Sequence, residues 1–129
     1  SDVDWVVYRY ADVLLSLSEI IARQSGVTKE ALDCINEVRN RAGLADLVQN
    51  SDFTTTEEFL DLLLLERGHE LWAEGTRRSD LIRFGKFVEY AEKYNGSTTV
   101  KDYMVLMPIP QSIINEGKGK VLQNPGYNE

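Results

Sequence analysis

The fold is decided by the stretch Glu66-Arg67-Gly68-His69-Glu70-Leu71-Trp72-Ala73-Glu74-Gly75-Thr76-Arg77-Arg78-Ser79-Asp80-Leu81-Ile82-Arg83-Phe84-Gly85, which predicts two helices joined at one charge-dense corner. Gly75 breaks the helical run, and Ser79 or Asp80 can cap the next helix. Glu74 has Arg77 three residues on, a spacing that favours an ion-pair network at the corner over a catalytic site. Seven residues make up this predicted structural charge network: Glu66, Arg67, Glu70, Glu74, Arg77, Asp80 and Arg83.

Two helices are predicted on the N-terminal side of the corner. Apolar side chains at helical spacing indicate the first: Tyr10, Leu14, Leu17 and Ile21. This helix stops near Gly26, and Thr28 is a good N-cap for the second helix, which ends at Gly43. Because few residues connect them, the two helices should form an antiparallel hairpin.

The third helix begins at the capping-box sequence Thr55-Thr56-Glu57-Glu58 and is predicted to run to about Glu74. Its first half is apolar on nearly every side, so we expect it to be the central helix, with Trp72 in the core. The fourth helix is predicted to run unbroken to Asn95-Gly96. Its expected buried face consists of Leu81, Phe84, Val88 and Ala91.

The chain after the fourth helix is predicted to be mostly irregular. Tyr103 to Met107 fits one short extended piece, and Ile113-Ile114 fits a single helical turn. The predicted fold class is therefore mainly α, with antiparallel helical hairpins and an irregular C-terminal tail.

Length and composition predict a single domain over residues 1–129, which the patterns above make a helical one, since 129 residues with 43% hydrophobic and 27% charged content can bury a core without disulfides or metals. The formal net charge of −7 disfavours nucleic acids and anionic membrane surfaces as partners. Cys34 is the only cysteine, so an intrachain disulfide is excluded. We expect Cys34 to be a small core residue. No apolar run approaches the ~20 residues of a membrane-spanning helix.

Catalytic and metal-binding interpretations of the corner are disfavoured. Glu66 and His69 have the Glu-x-x-His spacing of di-iron sites, but His69 is the only histidine and no second pair exists. Glu70 and Glu74 could approach the ~5 Å separation of retaining glycosidases, yet two carboxylates on one helix stripe cannot easily flank a sugar ring. We therefore expect no catalytic residue, no metal and no cofactor.

Aromatic side chains are the remaining candidates for ligand contact, because flat rings stack on the faces of sugars. Trp5, Tyr94 and Tyr103 are the three aromatic residues least committed to a helical core. We predict these three as the ligand-binding candidates.

Several motifs in order resemble the SusD/RagB family of outer-membrane lipoproteins. The family's Arg-Tyr-Ala-Asp/Glu-Val-Leu-Leu helix matches residues 9–15, and its Asn-x-Val-Arg-x-Arg-Ala-Gly-Leu helix end matches residues 36–44. Its Glu-Arg-x-x-Glu-Leu-x-x-Glu-Gly-x-Arg-x-x-Asp-Leu-x-Arg pattern matches residues 66–83. Gly68 stands where a basic residue is common, and Arg78-Ser79 replaces a usually aromatic pair, which predicts looser packing at the corner.

The resemblance implies a non-catalytic glycan-capture component at the outer-membrane surface, held there by a lipid anchor that is absent from this chain. Such a protein would deliver oligosaccharide or another nutrient to a SusC-like TonB-dependent transporter. The family's fold implies tetratricopeptide-like hairpins, and the match implies the C-terminal fragment of a longer SusD-like protein, serving mostly as scaffold. The alternative is a free-standing helical protein–protein interaction module. Exposure of Leu62 to Leu65, or of the first helix's apolar stripe, would indicate a missing neighbour.

Overall fold

The computed structural model describes residues 6–127, which form two compact units that adjoin in sequence between Arg77 and Arg78. This part of the chain contains six α-helices and one 3-10 helix, and its only bridge pairing is an isolated one between Gln49 and Phe53. The mainly α prediction is therefore confirmed. The assignment of residues 1–129 to a single domain stays a prediction.

The first unit holds three helices: α1 at Tyr10–Ser25, α2 at Lys29–Arg41 and α3 at Thr56–Glu70. The predicted caps of α2 and α3 are confirmed, because the Thr28 hydroxyl accepts a hydrogen bond from the Ala31 amide and Thr55 forms a capping box with Glu58. The α1–α2 connection is short, and the two helices pack as the expected hairpin. α1 packs closely against both other helices, whereas α3 reaches α2 through ion pairs, so the prediction of α3 as the central helix is wrong.

The core of the first unit combines side chains from all three helices and the loop before α3. Its largest fully buried side chains are Leu15, Ile35, Phe59, Leu63 and Leu64. Phe53 from the loop packs its ring against Phe59, with the ring centroids 5.1 Å apart. Ser18 is buried without penalty because its hydroxyl donates to the Ala31 carbonyl oxygen at 2.7 Å. Cys34 is buried as predicted, and this burial raises the pKa of its thiol.

α3 ends at Glu70, one turn before the predicted end at Glu74. The guanidinium of Arg9 donates to the Glu70 carbonyl oxygen at 2.7 Å, a contact from outside the helix that sequence periodicity does not reveal. The chain then turns through Ala73, whose φ is +63°, and this left-handed backbone cannot continue a helix. Trp72 lies on this turn and is 80% exposed, so its predicted place in the core is wrong.

The predicted fourth helix is two helices, α4 at Arg77–Arg83 and α5 at Phe87–Asn95. Ser79 and Asp80 lie within α4, so the predicted cap at either residue is wrong. Gly85 has φ +70°, its amide donates to the Ile82 carbonyl oxygen, and the Lys86 amide donates to Leu81. These two bonds form a Schellman motif, which ends α4. The predicted buried face is half-buried throughout: Leu81, Phe84, Val88 and Ala91.

The tail of the second unit contains two further helical pieces. A 3-10 helix at Asp102–Val105 replaces the extended segment predicted there, so that prediction is wrong. α6 at Gln111–Glu116 contains the predicted turn at Ile113-Ile114. The Gln123 side chain then pairs with the backbone of Ile109, accepting from its amide at 2.7 Å and donating to its carbonyl oxygen at 2.9 Å.

Candidate functional site

Arg9, the residue before α1, binds two carboxylates from the end of α3. Its Nε donates to both carboxylate oxygens of Glu74 at 3.0 and 3.1 Å, and its Nη1 donates to Glu70 Oε1 at 2.7 Å. The hydrogen bonds to Glu74 and then to Glu70 raise the pKa of Arg9 further above its ordinary range. The same contact with Arg9 lowers the pKa of Glu74. The predicted partner Arg77 is thus replaced by a residue 65 positions away.

Glu70 lies between two arginines, one just before α1 and one at the end of α2. One carboxylate oxygen accepts from Arg9, and the other accepts from Arg41 at the end of α2. The Glu70 side chain is only 7% exposed, so its charge requires both partners. This carboxylate therefore joins the start of α1, the end of α2 and the end of α3.

Two further ion pairs join α3 to its neighbours. Glu66 accepts from Arg39 of α2 at 2.7 Å, and Arg67 pairs with Asp12 of α1 at 2.8 Å. Arg67 also donates to the Ser16 hydroxyl at 3.1 Å. These mostly buried charges therefore join α3 to both α1 and α2.

The remaining members of the predicted charge network have different partners. Arg77 donates to the carbonyl oxygen of Leu64 at 2.7 Å, and its guanidinium lies against Gly68. The corner is therefore closely packed at Gly68, which contradicts the looser packing expected there. Asp80 is buried in the second unit and accepts from Arg83 at 2.8 Å.

The sequence motifs contained the missing partners of the network, although periodicity could not pair them. Arg9 and Asp12 belong to the stretch matched at residues 9–15, and Arg39 and Arg41 belong to the stretch at residues 36–44. The available signal was the charged residues at the start of α1 and at the ends of α2 and α3. The three motifs that identify the resemblance thus contact one another through their charged side chains.

This arrangement is suited to holding helices together rather than to chemistry on a substrate. Glu66 is held by Arg39, and Glu70 and Glu74 share Arg9. His69 is exposed on α3. Between residues 6 and 127, no group of three or more His, Cys, Asp or Glu side chains could hold a metal ion.

The aromatic candidates differ in how far their rings are available. Trp5 lies outside the described residues. Tyr94 is 57% exposed at the end of α5, with its ring 4.9 Å from that of Tyr90 and with Lys93 Nζ 5.0 Å from its centroid. Tyr103 is half-buried, so its ring is less accessible than that of Tyr94.

Tyr103 packs within the tail of the second unit. Its ring lies edge-on to Tyr127 at 4.9 Å, and the backbone of Gly126 lies so close to the ring that a side chain there would collide with it. The ring neighbours of Tyr94 and Tyr103 are therefore different residues, Tyr90 and Tyr127. The ring of Tyr94 is thus exposed to solvent, whereas the ring of Tyr103 packs against Tyr127 and Gly126 within the tail.

Trp72 is an exposed aromatic residue that periodicity assigned to the wrong environment. Its ring is presented on the turn after α3, beside the left-handed Ala73. Because α3 ends at Glu70, Trp72 lies outside the helix, and the predicted helix end at Glu74 is the source of the wrong assignment. Trp72 joins Tyr94 as an accessible ring that could stack on a ligand.

A groove of about 290 Å³ lies between α1 and α2 in the first unit. Its floor is formed by Ala11 and Leu14 of α1 and Val38 of α2. Charged and aromatic side chains complete the lining: Arg9, Tyr10, Glu37 and Arg41. An apolar floor with a polar rim suits a side chain or a small ligand.

None of the helices in the described part of the chain has both the length and the hydropathy needed to cross a bilayer.

Comparison with known proteins gives a consistent result across the chain. A family model described as the SusD family matches residues 1–127. Starch-binding protein SusD of Bacteroides thetaiotaomicron is 38% identical over 132 residues, covering 98% of this chain and 22% of that protein. SusD-like protein P38 of Formosa agariphila is 36% identical over 105 residues, covering 75% of this chain and 20% of that protein.

Solved structures show the same similarity. Surface glycan-binding protein A from Bacteroides thetaiotaomicron matches with a TM-score of 0.74 and 33% identity, over 92% of this chain and 24% of that one. A structure of this glycan-binding protein in complex with laminarihexaose matches with a TM-score of 0.73 and 32% identity. The chain thus spans about a fifth to a quarter of the length of these relatives.

Proposed function

The chain belongs to the SusD family, and on this premise we propose that it is part of a non-catalytic glycan-capture protein at the outer-membrane surface. The complete protein delivers oligosaccharide or another nutrient to a SusC-like TonB-dependent transporter. It is held at the membrane by a lipid anchor outside this chain. The residues described above are the C-terminal portion of that protein.

The observation that carries the proposal is the similarity to surface glycan-binding protein A, whose structure is known with laminarihexaose. The similarity extends over 92% of this chain at 32% identity, which is more than a shared fold class. The names of the matched relatives describe binding proteins, which supports a role without catalysis.

Within that protein the chain serves mostly as scaffold. The ion pairs from Arg9, Arg39 and Arg67 join three helices and use the conspicuous charges of the family motifs. These charged side chains therefore form their ion pairs within the chain. Accessible rings remain at Trp72 and Tyr94, and with Trp5 and Tyr103 they are the side chains here with which a glycan contact would be made.

The test is a comparison of glycan binding by this chain and by a longer protein that contains it. Isothermal titration calorimetry with laminarihexaose and with maltohexaose, followed by a glycan array, would cover two linkage types and then many. We expect the longer protein to bind at least one glycan and the isolated chain to bind it far more weakly. Absence of glycan binding by the longer protein would refute capture, and equal binding by both would refute the scaffold role.

An interaction module without a sugar ligand is the second candidate, and the exposed apolar residues of α1 favour it. Tyr10, Val13 and Ile20 are more than half exposed although they are large and apolar. A free-standing module would use this face to bind a separate protein. This candidate requires that no longer protein containing the chain binds a glycan, so the same calorimetry separates the two.

A further inference from the structure

The end of α5 contains the only asparagine in the sequence that is followed by glycine, Asn95-Gly96. Asn95 is the last residue of the helix, and Gly96 ends it in the left-handed region with φ +62°. Asn95 is exposed, and between residues 6 and 127 its side-chain amide has no hydrogen-bond partner. No contact therefore prevents this amide from rotating toward the backbone that follows it.

An asparagine side chain can react with the backbone nitrogen of the next residue. The Gly96 nitrogen would lose its proton to water and bond to Cγ of Asn95, and the side-chain nitrogen would leave as ammonia, taking up a proton in exchange. The resulting succinimide ring is opened by one water molecule. Cleavage of the new bond at Cγ gives aspartate, whereas cleavage at the main-chain carbonyl carbon gives isoaspartate. The only reactant besides the chain is water.

Glycine favours this reaction, because no side chain shields the attacking nitrogen or restricts its backbone. Asn124, by contrast, precedes Pro125, which has no N–H proton to lose. Asn40 is a close match to Asn95: it is exposed in the last turn of α2, and its side chain has no hydrogen bond to any residue that the structure describes. It differs in being followed by Arg41 rather than by glycine.

The folded end of α5 restrains the attacking nitrogen. The Gly96 amide donates to the carbonyl oxygens of Ala91 and Glu92, with a distance of 3.1 Å to Glu92. The Ser97 amide donates to the Ala91 carbonyl oxygen, also at 3.1 Å. Ring closure must rotate the backbone of Asn95 away from its helical conformation and so break these bonds. The reaction therefore requires the last turn of α5 to open, and helix ends open more readily than helix centres.

We propose that Asn95 is a site of spontaneous deamidation that is reached through opening of the last turn of α5. The product carries a carboxylate at the negative end of the helix, where an anion is unfavourable. Isoaspartate also adds a methylene to the main chain, which displaces the Gly96 amide from its acceptors. The modification thus loosens the end of α5 beside the exposed ring of Tyr94. It does not depend on the proposed function, because it needs only the residues of this helix end.

The test follows the conversion of individual asparagines over time. The chain is kept at neutral pH, folded in one sample and unfolded in concentrated urea in the other. Peptide mapping by mass spectrometry detects the change from amide to carboxylate, and chromatography separates aspartate from isoaspartate. Asn40 is the internal control. Asn95→Gln is the control variant, because its longer side chain would have to close a larger and less favourable ring.

We expect Asn95 to convert at least about tenfold faster than Asn40 in the folded chain, because glycine follows it. Conversion of Asn95 should be at least about tenfold faster in urea than in the folded chain, where opening of the helix end must come first. A rate at Asn95 no greater than that at Asn40 would overturn the deamidation site. Equal rates at Asn95 in the folded and unfolded samples would overturn the control by helix opening.

Hydrogen exchange then tests the consequence for α5. The amides of Gly96 and Ser97 should exchange faster in the converted chain than before conversion, since the bonds to Ala91 and Glu92 are weakened. Asn95→Gln kept under the same conditions should retain its protection. Unchanged exchange at both amides after conversion would overturn the loosening of the helix end.

Discussion

The guanidinium of Arg77 occupies the space that a side chain at position 68 would need. A Cβ atom on Gly68 would lie 2.7 Å from Arg77 Nη1 and 2.8 Å from its Cζ. From this position Arg77 donates to the carbonyl oxygen of Leu64, one turn earlier in α3. Gly68 therefore permits a contact that bulkier residues would prevent, although glycine within a helix costs roughly 1 kcal/mol relative to alanine.

Gly68→Ala should lower the free energy of unfolding by about 1 kcal/mol, since loss of the charged Arg77 hydrogen bond outweighs the gain in helix propensity. In an Arg77→Ala background the same substitution should instead stabilise the protein by about 1 kcal/mol. Urea denaturation of the four proteins in this double-mutant cycle provides the measurement. Stabilisation by Gly68→Ala in both backgrounds would show that Arg77 does not depend on the glycine.

Glu70→Ala should lower the free energy of unfolding by about 3 kcal/mol, because it leaves Arg9 and Arg41 without a carboxylate that is nearly buried between them. Glu57→Gln, at an exposed position in the first turn of the same helix, should change stability by less than about 0.5 kcal/mol. Denaturant midpoints of both variants give the comparison. Similar small effects would mean that the Glu70 bridge is replaced by solvent at little cost.

Stability should fall in acid through the capping box of α3. Hydrogen bonds from the Thr54 amide, the Thr54 hydroxyl and the Thr55 amide lower the pKa of Glu58 below its ordinary value of 4.5. Because the folded-state pKa is the lower one, the stabilisation is present above pH 4.5 and is lost as the pH falls through the folded pKa. Denaturant titrations at successive pH values should show a shallower acid loss for Glu58→Gln. Identical pH profiles would argue against this linkage.

Tyr94→Ala should weaken glycan binding by the longer protein about fivefold without lowering its stability, if the exposed ring stacks on a sugar. Tyr103→Ala should instead lower the melting temperature, because its ring packs on Tyr127 and Gly126. Tyr8→Ala is the control, since Tyr8 is a highly exposed tyrosine in the first unit. Calorimetry with the glycan that the wild type binds, paired with thermal melts, distinguishes these outcomes. A loss of affinity in the Tyr8 variant equal to that of Tyr94→Ala would indicate a non-specific effect.

The parts of the fold that could be predicted depend on nearby residues. The caps at Thr28 and Thr55 and the end of α5 at Gly96 were predicted correctly, since each depends on bonds within a few residues. The break at Gly85 also has a local cause, but the apolar spacing continues across it and favours one unbroken helix. The early end of α3 was not predicted, and the bond that satisfies the Glu70 carbonyl oxygen there comes from Arg9, 61 residues away, which local spacing does not reveal.

The same distinction between local and distant contacts separates what could and could not be predicted at the candidate site. Acidic and basic residues of α3 could be recognised as structural from their density, but their partners on α1 and α2 depend on how the helices pack. The environment of Trp72 was mistaken for the same reason, since it follows from where α3 ends. The exposure of Tyr94 follows from how the second unit folds. The sequence indicated only that Tyr94 lies at the edge of the helix's apolar pattern.

The contacts of Arg9 also bear on how the first unit folds and unfolds. They join residues 61 and 65 positions apart, so the chain between them must be ordered before these bonds can form without a large loss of entropy. The α1–α2 hairpin closes over a far shorter loop and should form first. Arg9→Ala should accordingly speed unfolding while leaving the folding rate nearly unchanged. The two carboxylates held by Arg9 thus determine how long the native state lasts rather than how quickly it is reached.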